Sequence, residues 1–270
     1  MEFWQALILA VIEGITEYLP ISSTGHIILG SALMGIEGND FVKDYTVIVQ
    51  LGAILSVLVV YRDRIWSAMK QGPRVYLLML LAFLPAAFFG LLFGNQIDAM
   101  LGDVKVVGWS LLIGGFVLLF LDRLAKKIEN PSLESDALKL SFKNGILIGF
   151  AQCLALVPGV SRSGASIAGG LAMGFSRKTA AEFSFFLGVP TLAAACGYKL
   201  LKMGESLSSE TLPIIIVGNL VSFAVGCLAI KSFIGFLQRR GFFWFGVYRI
   251  ILGALILAVL FSGHDLQMVD

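Results

Sequence analysis

Charge is scarce in this sequence of 270 residues. Asp, Glu, Lys and Arg make up 14% of it, whereas soluble domains average about 25%. With 57% hydrophobic residues and a mean hydropathy of +0.88, the chain has too little polar surface to enclose a soluble core. This composition excludes a coiled coil, a disordered protein and a nucleic-acid-binding domain. It indicates a membrane protein that spans the bilayer with helices, because backbone groups in lipid must be hydrogen-bonded within the protein.

Cysteine is also rare. The three cysteines lie in apolar stretches without a Cys-x-x-Cys pair, so neither a disulfide framework nor a zinc site is indicated. The apolar N-terminus has no basic flank and carries Glu2, Glu13 and Glu17. We therefore expect the first hydrophobic segment to belong to the mature fold rather than to a signal peptide.

Long apolar segments dominate the rest of the chain. Crossing a bilayer takes about 20 residues, and six segments are of this length or nearly so: 45–61, 75–94, 104–121, 180–198, 212–230 and 242–262. Two further apolar regions, 3–35 and 142–174, are interrupted by Pro, Gly and hydroxyl residues. We predict that each forms a re-entrant hairpin, in which one helix enters the membrane and a second leaves it after a polar turn.

The two interrupted regions resemble each other. A shift of 139 residues pairs Phe3 with Phe142, Glu13 with Gln152, Ser22 with Ser161 and Gly25 with Gly164. We therefore predict one membrane domain with a first repeat over residues 1–121, a linker over 122–141 and a second repeat over 142–270. Three spans follow each hairpin, and an odd number inverts the second repeat. The predicted fold class is all-α and polytopic, with six transmembrane helices and two re-entrant hairpins in an inverted-topology repeat.

The positions of Lys and Arg predict the orientation, because these residues favour cytoplasmic loops. They are concentrated in the segments 62–74, 122–141, 175–179 and 231–241, whereas the opposite loops contain Lys43, Lys105, Lys199 and Lys202. Both termini are therefore expected outside. An inverted repeat with broken helices is typical of transporters that bind their ligand at the breaks.

Ionisable residues within the apolar segments are functional candidates, because their burial in a membrane is costly. Glu13 and Glu17 are four residues apart and share a helix face. Two such carboxylates would repel each other unless a cation, a proton or an arginine lies between them, or unless they line a water-filled vestibule.

The two polar turns indicate an anion site. Each precedes a helix whose free N–H groups can bind phosphate: the first turn contains Ser22, Ser23, Thr24, Gly25 and His26, and the second contains Ser161, Arg162, Ser163 and Gly164. The planar guanidinium of Arg162 suits phosphate oxygens. The alternatives are that the hydroxyls only cap helices and that His26 is structural. For Arg162 we expect both an ion pair with Glu13 or Glu17 in the empty site and a bond to phosphate in the loaded one. Gln50, Gln152 and Arg249 are weaker candidates, since each could form a helix–helix hydrogen bond and nothing more.

Two long motifs, residues 13–26 and 158–164, resemble the signature motifs of bacterial undecaprenyl-diphosphate phosphatases of the bacitracin-resistance type. The similarity covers essentially the whole chain, including Gln50-Leu51-Gly52 and Glu182-Phe183-Ser184-Phe185. The resemblance implies hydrolysis of a C55 polyprenyl diphosphate to the monophosphate carrier of cell-wall synthesis. It also implies a location in the bacterial inner membrane and an active site that faces outside and depends on a divalent cation.

On this basis we expect Ser23 to be the nucleophile, with His26 as its base and Glu17 orienting His26, while Arg162 binds phosphate. Direct attack by His26, or by a water that His26 or Glu17 activates, remains open. Glu13 and Glu17 are the expected ligands of Mg²⁺ or Ca²⁺. The expected substrate-binding residues are Ser22, Thr24, Gly25, Ser161, Ser163, Gly164, Gln50 and Gln152.

The inverted repeat also supports a different class, a transporter of polyprenyl phosphate or small anions. A channel is a third and weaker option, since a fixed carboxylate–arginine pair argues against an open pore. The sequence leaves the oligomeric state open, a homodimer included.

Overall fold

A computed structural model of the chain describes residues 1–36, 40–101, 103–128, 130, 133, 135–203 and 208–262. Within these residues the regular structure is entirely helical. The helices are α1 (Phe3–Thr16), α2 (Ser23–Leu33), α3 (Asp40–Ile48), α4 (Gln50–Val60), α5 (Arg62–Lys70), α6 (Arg74–Leu92), α7 (Gly94–Leu101), α8 (Val104–Ile128), α9 (Phe142–Gln152), α10 (Arg162–Ala172), α11 (Arg177–Met203), α12 (Thr211–Arg240) and α13 (Phe243–Phe261). Short 3₁₀ turns cover Ala137–Lys139 and Cys153–Leu156. Parts of the predicted linker and the end of the second predicted repeat lie outside the described residues.

The six predicted spans are confirmed as long apolar helices. Asp40–Val60, Arg74–Leu92, Val104–Ala125, Arg177–Lys202, Thr211–Arg240 and Phe243–Phe261 are each long and apolar enough to cross a membrane. Their outer faces carry many exposed Leu, Ile and Phe side chains, which is the pattern expected of surfaces in contact with lipid. The chain is therefore an integral membrane protein.

The first span is interrupted at Val49, which separates α3 from α4. The Gly52 N–H bonds the Val49 carbonyl at 3.2 Å and also donates to the Asn219 Oδ1 of α12 at 2.7 Å. Because Asn219 satisfies a backbone donor at the break, the interruption leaves no unpaired N–H at Gly52. The break lies beside Gln50, one of the predicted binding residues.

Both interrupted regions form pairs of short helices that pack against each other. The first helix pair is α1 with α2, and the second helix pair is α9 with α10. The first pair packs mainly on α12, whereas α9 of the second pair packs on α6. The most buried spanning helix, α11, packs on α10 and carries Phe183 and Phe185 into the main apolar core. This packing brings the turns of the two helix pairs together near the centre of the molecule.

Candidate functional site

The turns of the two helix pairs have the same backbone geometry. Ser22 and Ser161 are the non-glycine residues with positive φ within the described part of the chain, at 70° and 76°. This conformation is unfavourable for residues with a Cβ and is often retained at functional sites. In both turns the serine hydroxyl accepts the N–H three residues later, from Gly25 at 3.3 Å and from Gly164 at 3.1 Å. Each turn therefore ends in a capped helix whose first residues face the opposite turn.

A cavity of about 210 Å³ lies between the two turns. Helix α7 contributes Ile97 to its wall, and α4 contributes Gln50. The remaining lining residues come from the two turns and from α11: Glu17, Ser22, Ser23, Thr24, Ala155, Leu156, Pro158, Gly159, Ser161, Arg162 and Leu192. The cavity thus combines hydroxyls, one carboxylate and one guanidinium with apolar walls, as is typical of ligand sites.

The charged centre of the site is a buried ion pair. Arg162 donates from Nη2 and Nε to the Glu17 Oε1, at 3.0 and 3.1 Å. The other carboxylate oxygen of Glu17 accepts the Ser23 hydroxyl at 2.8 Å. A single carboxylate therefore joins the cation of the second helix pair to the hydroxyl of the first.

Helix α11 supports Arg162 through residues that the sequence motifs do not contain. The Ser184 carbonyl accepts the Arg162 Nη1 at 2.8 Å, and the Ser184 hydroxyl accepts Ser166 at 2.7 Å. Gly188 leaves room for the guanidinium, since a Cβ there would lie 2.6 Å from Nη1. In the sequence, Ser184 is only a weakly polar residue within an apolar segment, and nothing about Gly188 indicates a role in the site.

The ring nitrogens of His26 contact groups other than Ser23 in this structure. Its Nδ1 lies 2.7 Å from the Ser22 carbonyl, which can only accept, so Nδ1 carries a proton. In the neutral ring Nε2 then accepts the Tyr248 hydroxyl, at 2.7 Å. The two rings also stack, with an angle of 7° between their planes. The structure therefore places Glu17, and not His26, on the Ser23 hydroxyl, and it adds Tyr248 as a contact that sequence reasoning missed.

Glu13 is the least satisfied polar group of the site region. It is fully buried, and neither carboxylate oxygen has a hydrogen-bond partner. A buried carboxylate without donors is costly unless a proton or a cation accompanies it. Its hard oxygen donors fit Mg²⁺ or Ca²⁺, whereas both Glu17 oxygens are already bonded. Among the described residues, no group of three or more His, Cys, Asp or Glu side chains clusters as a metal site.

The remaining predicted residues lie on the cavity wall, in the helix caps or, for Gln152, outside both. Thr24 and Gln50 line the cavity with Ser22 and Ser161. Gly25 and Gly164 supply the N–H groups of the caps, and the Ser163 hydroxyl crosses to the Leu19 carbonyl at 2.9 Å. Gln152 is buried outside the cavity wall, where its amide donates to Thr191 at 3.2 Å.

Comparison with known proteins agrees with this geometry. The chain is 47% identical over 269 residues to an undecaprenyl-diphosphatase of Bdellovibrio bacteriovorus, with both chains fully covered. It is 47% identical over 273 residues to one of Flavobacterium johnsoniae, again over both full lengths. An undecaprenyl-diphosphatase of Campylobacter jejuni is 43% identical, over 97% of this chain and 96% of its own. Residues 6–255 match the family model of the bacitracin resistance protein BacA, and the chain belongs to this family.

Proposed function

We propose that this chain is an integral membrane phosphatase that hydrolyses undecaprenyl diphosphate to undecaprenyl phosphate and inorganic phosphate. The membership of the BacA family and the names of the full-length relatives support this activity. One observation assigns this activity to particular residues: the Glu17 carboxylate is bonded to both Arg162 and Ser23, and all three residues line one cavity. The product is the lipid carrier used in peptidoglycan synthesis, and its recycling confers resistance to bacitracin.

Arg162 and the starts of α2 and α10 would bind the diphosphate. A guanidinium presents parallel N–H donors to phosphate oxygens, and the first turns of two helices add backbone donors and favourable dipoles. Arg162 is paired with Glu17 in the free enzyme. An entering phosphate competes for the same donors, so binding draws Arg162 from the carboxylate to the substrate.

Ser23 is the proposed nucleophile, with Glu17 as the group that takes its proton. Once Arg162 has turned to the phosphate, Glu17 remains on the Ser23 hydroxyl and can accept the proton as the oxygen attacks the terminal phosphorus. The bond to the bridging oxygen breaks, and undecaprenyl phosphate leaves. Water then hydrolyses the phosphoserine, and the fixed donors stabilise the charge on the equatorial oxygens in both steps.

His26 has two possible roles in this scheme. In its present position it holds the Ser22 carbonyl and thereby the strained turn before Ser23. To act as the base or as the nucleophile it would have to leave Tyr248 and turn towards the cavity. Attack by a water that Glu17 activates gives the same products without a phosphoserine. The enzyme can be incubated with substrate that carries ³²P in its terminal phosphate and then quenched in acid. Label on Ser23 distinguishes the serine route from the other two, because only that route forms a phosphoserine.

A divalent cation is the proposed cofactor, with Glu13 as its main ligand and Glu17 beside it. The two unpartnered oxygens of Glu13 support this assignment. A bound cation would neutralise charge on the diphosphate.

Exchange of Glu13 for Gln tests the cation site. We expect the variant to lose most of its phosphate release and to need far more Mg²⁺ for the remainder, because an amide is a weaker ligand. Glu210→Gln, at an exposed loop position, is the matched control. A wild-type rate with an unchanged cation requirement would contradict the assignment.

Release of inorganic phosphate tests the proposed activity against the transporter alternative. Purified protein in detergent micelles should release phosphate from undecaprenyl diphosphate, and this release should stop when EDTA is added. A carrier moves its ligand across a membrane and releases no phosphate in a micelle. No release at any cation concentration would therefore refute the phosphatase and favour the carrier.

The two helix pairs are the proposed re-entrant elements of an inverted repeat. The matching positive φ values and serine caps support this. The packing supports it too, because the first helix of each pair packs on a long helix of the other predicted repeat, α1 on α12 and α9 on α6. In this arrangement, within the bacterial inner membrane, both termini lie outside. The cavity then faces outside as well, since its wall includes Ile97 of α7, which follows the second span away from the basic segment 62–74.

A further inference from the structure

Arg249 of α13 is a buried cation that the proposed reaction does not use. It is 1% exposed and is the largest of the fully buried side chains. All five N–H groups of its guanidinium have acceptors, and every acceptor is a backbone carbonyl. The bonds run from Nε to Leu111 at 3.4 Å, from Nη1 to Val160 at 2.9 Å and Pro20 at 3.2 Å, and from Nη2 to Gly159 at 3.0 Å and Ser110 at 3.1 Å.

These acceptors exclude a ligand-binding role for Arg249. Within the described part of the chain, the acceptors of Arg249 are carbonyls and include no carboxylate. A guanidinium whose donors are all used and whose surface is buried has none left for a phosphate. Arg249 also does not line the cavity. We therefore expect Arg249 to hold the backbone carbonyls that it contacts in place.

The carbonyls that Arg249 binds belong to both turns of the site. Pro20 lies three residues before Ser23, and Gly159 and Val160 lie immediately before Ser161 and Arg162. The carbonyls of Ser110 and Leu111 anchor the same guanidinium to α8. One side chain outside the cavity wall thus ties the backbone of the first turn to that of the second.

We propose that Arg249 is a positioning residue for phosphoryl transfer, which fixes the two turns at the separation that Ser23 and Arg162 need. This inference rests on the proposed function. In-line attack requires the nucleophile and the phosphate-binding groups to hold their relative positions, and a misplacement of about 1 Å can cost about 100-fold in rate. The Arg162–Glu17 pair cannot hold the turns by itself during turnover, because the phosphate competes for Arg162.

Exchange of Arg249 for Lys tests the kinetic side of the proposal. Lysine keeps the charge but offers three donors in place of five. We expect kcat to fall about 100-fold while KM changes by less than about threefold, since the phosphate contacts themselves remain. Gly114→Ala should reproduce this effect without altering any charge, because a Cβ at Gly114 overlaps with the guanidinium of Arg249.

Arg74→Lys is the matched control. Arg74 also donates to a set of backbone carbonyls, those of Leu138, Lys139 and Leu140, but these lie in the segment between the two predicted repeats and outside the cavity. The Arg74→Lys substitution should lower thermal stability and leave kcat unchanged. If Arg249→Lys behaves like Arg74→Lys, Arg249 is merely structural and the proposal is overturned.

A second measurement does not depend on activity. Thr24 and Leu156 line the cavity from opposite turns, so cysteines at these positions report the separation of the turns in a background without Cys153, Cys196 and Cys227. A series of bifunctional methanethiosulfonates of increasing length should cross-link the pair with one preferred length when Arg249 is present. Arg249→Lys and Gly114→Ala should broaden or shift that preference. An unchanged length profile would overturn the positioning role, whereas absence of phosphate release in the wild-type enzyme would instead refute the proposed function.

Discussion

The four charged residues of the site region have three different kinds of environment. Arg162 and Glu17 form an ion pair that a substrate can open. The guanidinium of Arg249 bonds backbone carbonyls only, so it has no donor left for a substrate. Glu13 lies beside Glu17, and no donor of the described residues bonds its carboxylate oxygens. Because removing one partner of a buried pair costs about 3–5 kcal/mol of stability, variants of these residues need a measurement of folding beside each measurement of rate.

Gly188 provides a test of the Arg162 position that leaves all charges intact. A Cβ at this position would lie 2.6 Å from Nη1 and 2.8 Å from the Cζ of Arg162, so Gly188→Ala must displace the guanidinium. We expect phosphate release to fall about 10- to 100-fold. Gly197→Ala, on the same helix and with open space around its Cβ, should retain the wild-type rate. Equal rates for the two variants would show that Arg162 does not act from the position described.

The residues of the two motifs could be predicted from sequence because each is polar within an apolar segment. Ser23, Arg162 and Glu17 stand out in this way, and the structure brings them together. Ser184 lies in a segment that the family resemblance includes, but its residue type indicated no role. Gly188 and Tyr248 could not be found, since each lies on a long apolar helix where small and aromatic residues are common. The contact of Glu17 with Ser23 depends on the turn geometry, which the residue types do not determine.

At the scale of the helices, the breaks follow from local chemistry in some places and from distant contacts in others. Pro, Gly and Ser in the two turns end one helix and cap the next, and both breaks occur where the sequence predicts them. The interruption at Val49 has no such signal, and the side chain that bonds the backbone beside it, Asn219, comes from the distant helix α12. The sequence therefore predicted a single uninterrupted span over 45–61.

Labelling of single cysteines tests the re-entrant course of both helix pairs. Glu2 and Asp40 flank the first pair, whereas Lys143 is at the start of α9 and Lys178 follows the second pair at the start of α11. All four residues are exposed. In a background without native cysteines, Glu2→Cys and Asp40→Cys should react with an impermeant maleimide in spheroplasts, and Lys143→Cys and Lys178→Cys should react only after permeabilisation. Opposite behaviour of the two residues that flank one pair would mean that this pair crosses the membrane completely.

At the scale of the whole molecule, six long apolar helices pack with two short helix pairs, and the turns of these pairs line one cavity. The first turn contributes a hydroxyl and a carboxylate, and the second contributes a cation. This division between the two turns fits the proposed mechanism, in which the second turn binds the phosphate and the first turn attacks it. It also predicts that residues from the two halves act as one catalytic unit.

A double-mutant cycle on phosphate release tests that claim most directly. It compares the wild-type enzyme with Ser23→Ala, with Arg162→Lys and with the double variant, after thermal unfolding has shown that all four are folded. Each single variant should lose at least about 1000-fold, and the double variant should be little slower than either, because losses within one catalytic unit do not add. A Ser23→Ala enzyme with a tenth or more of the wild-type rate, together with losses that multiply in the double variant, would contradict the account.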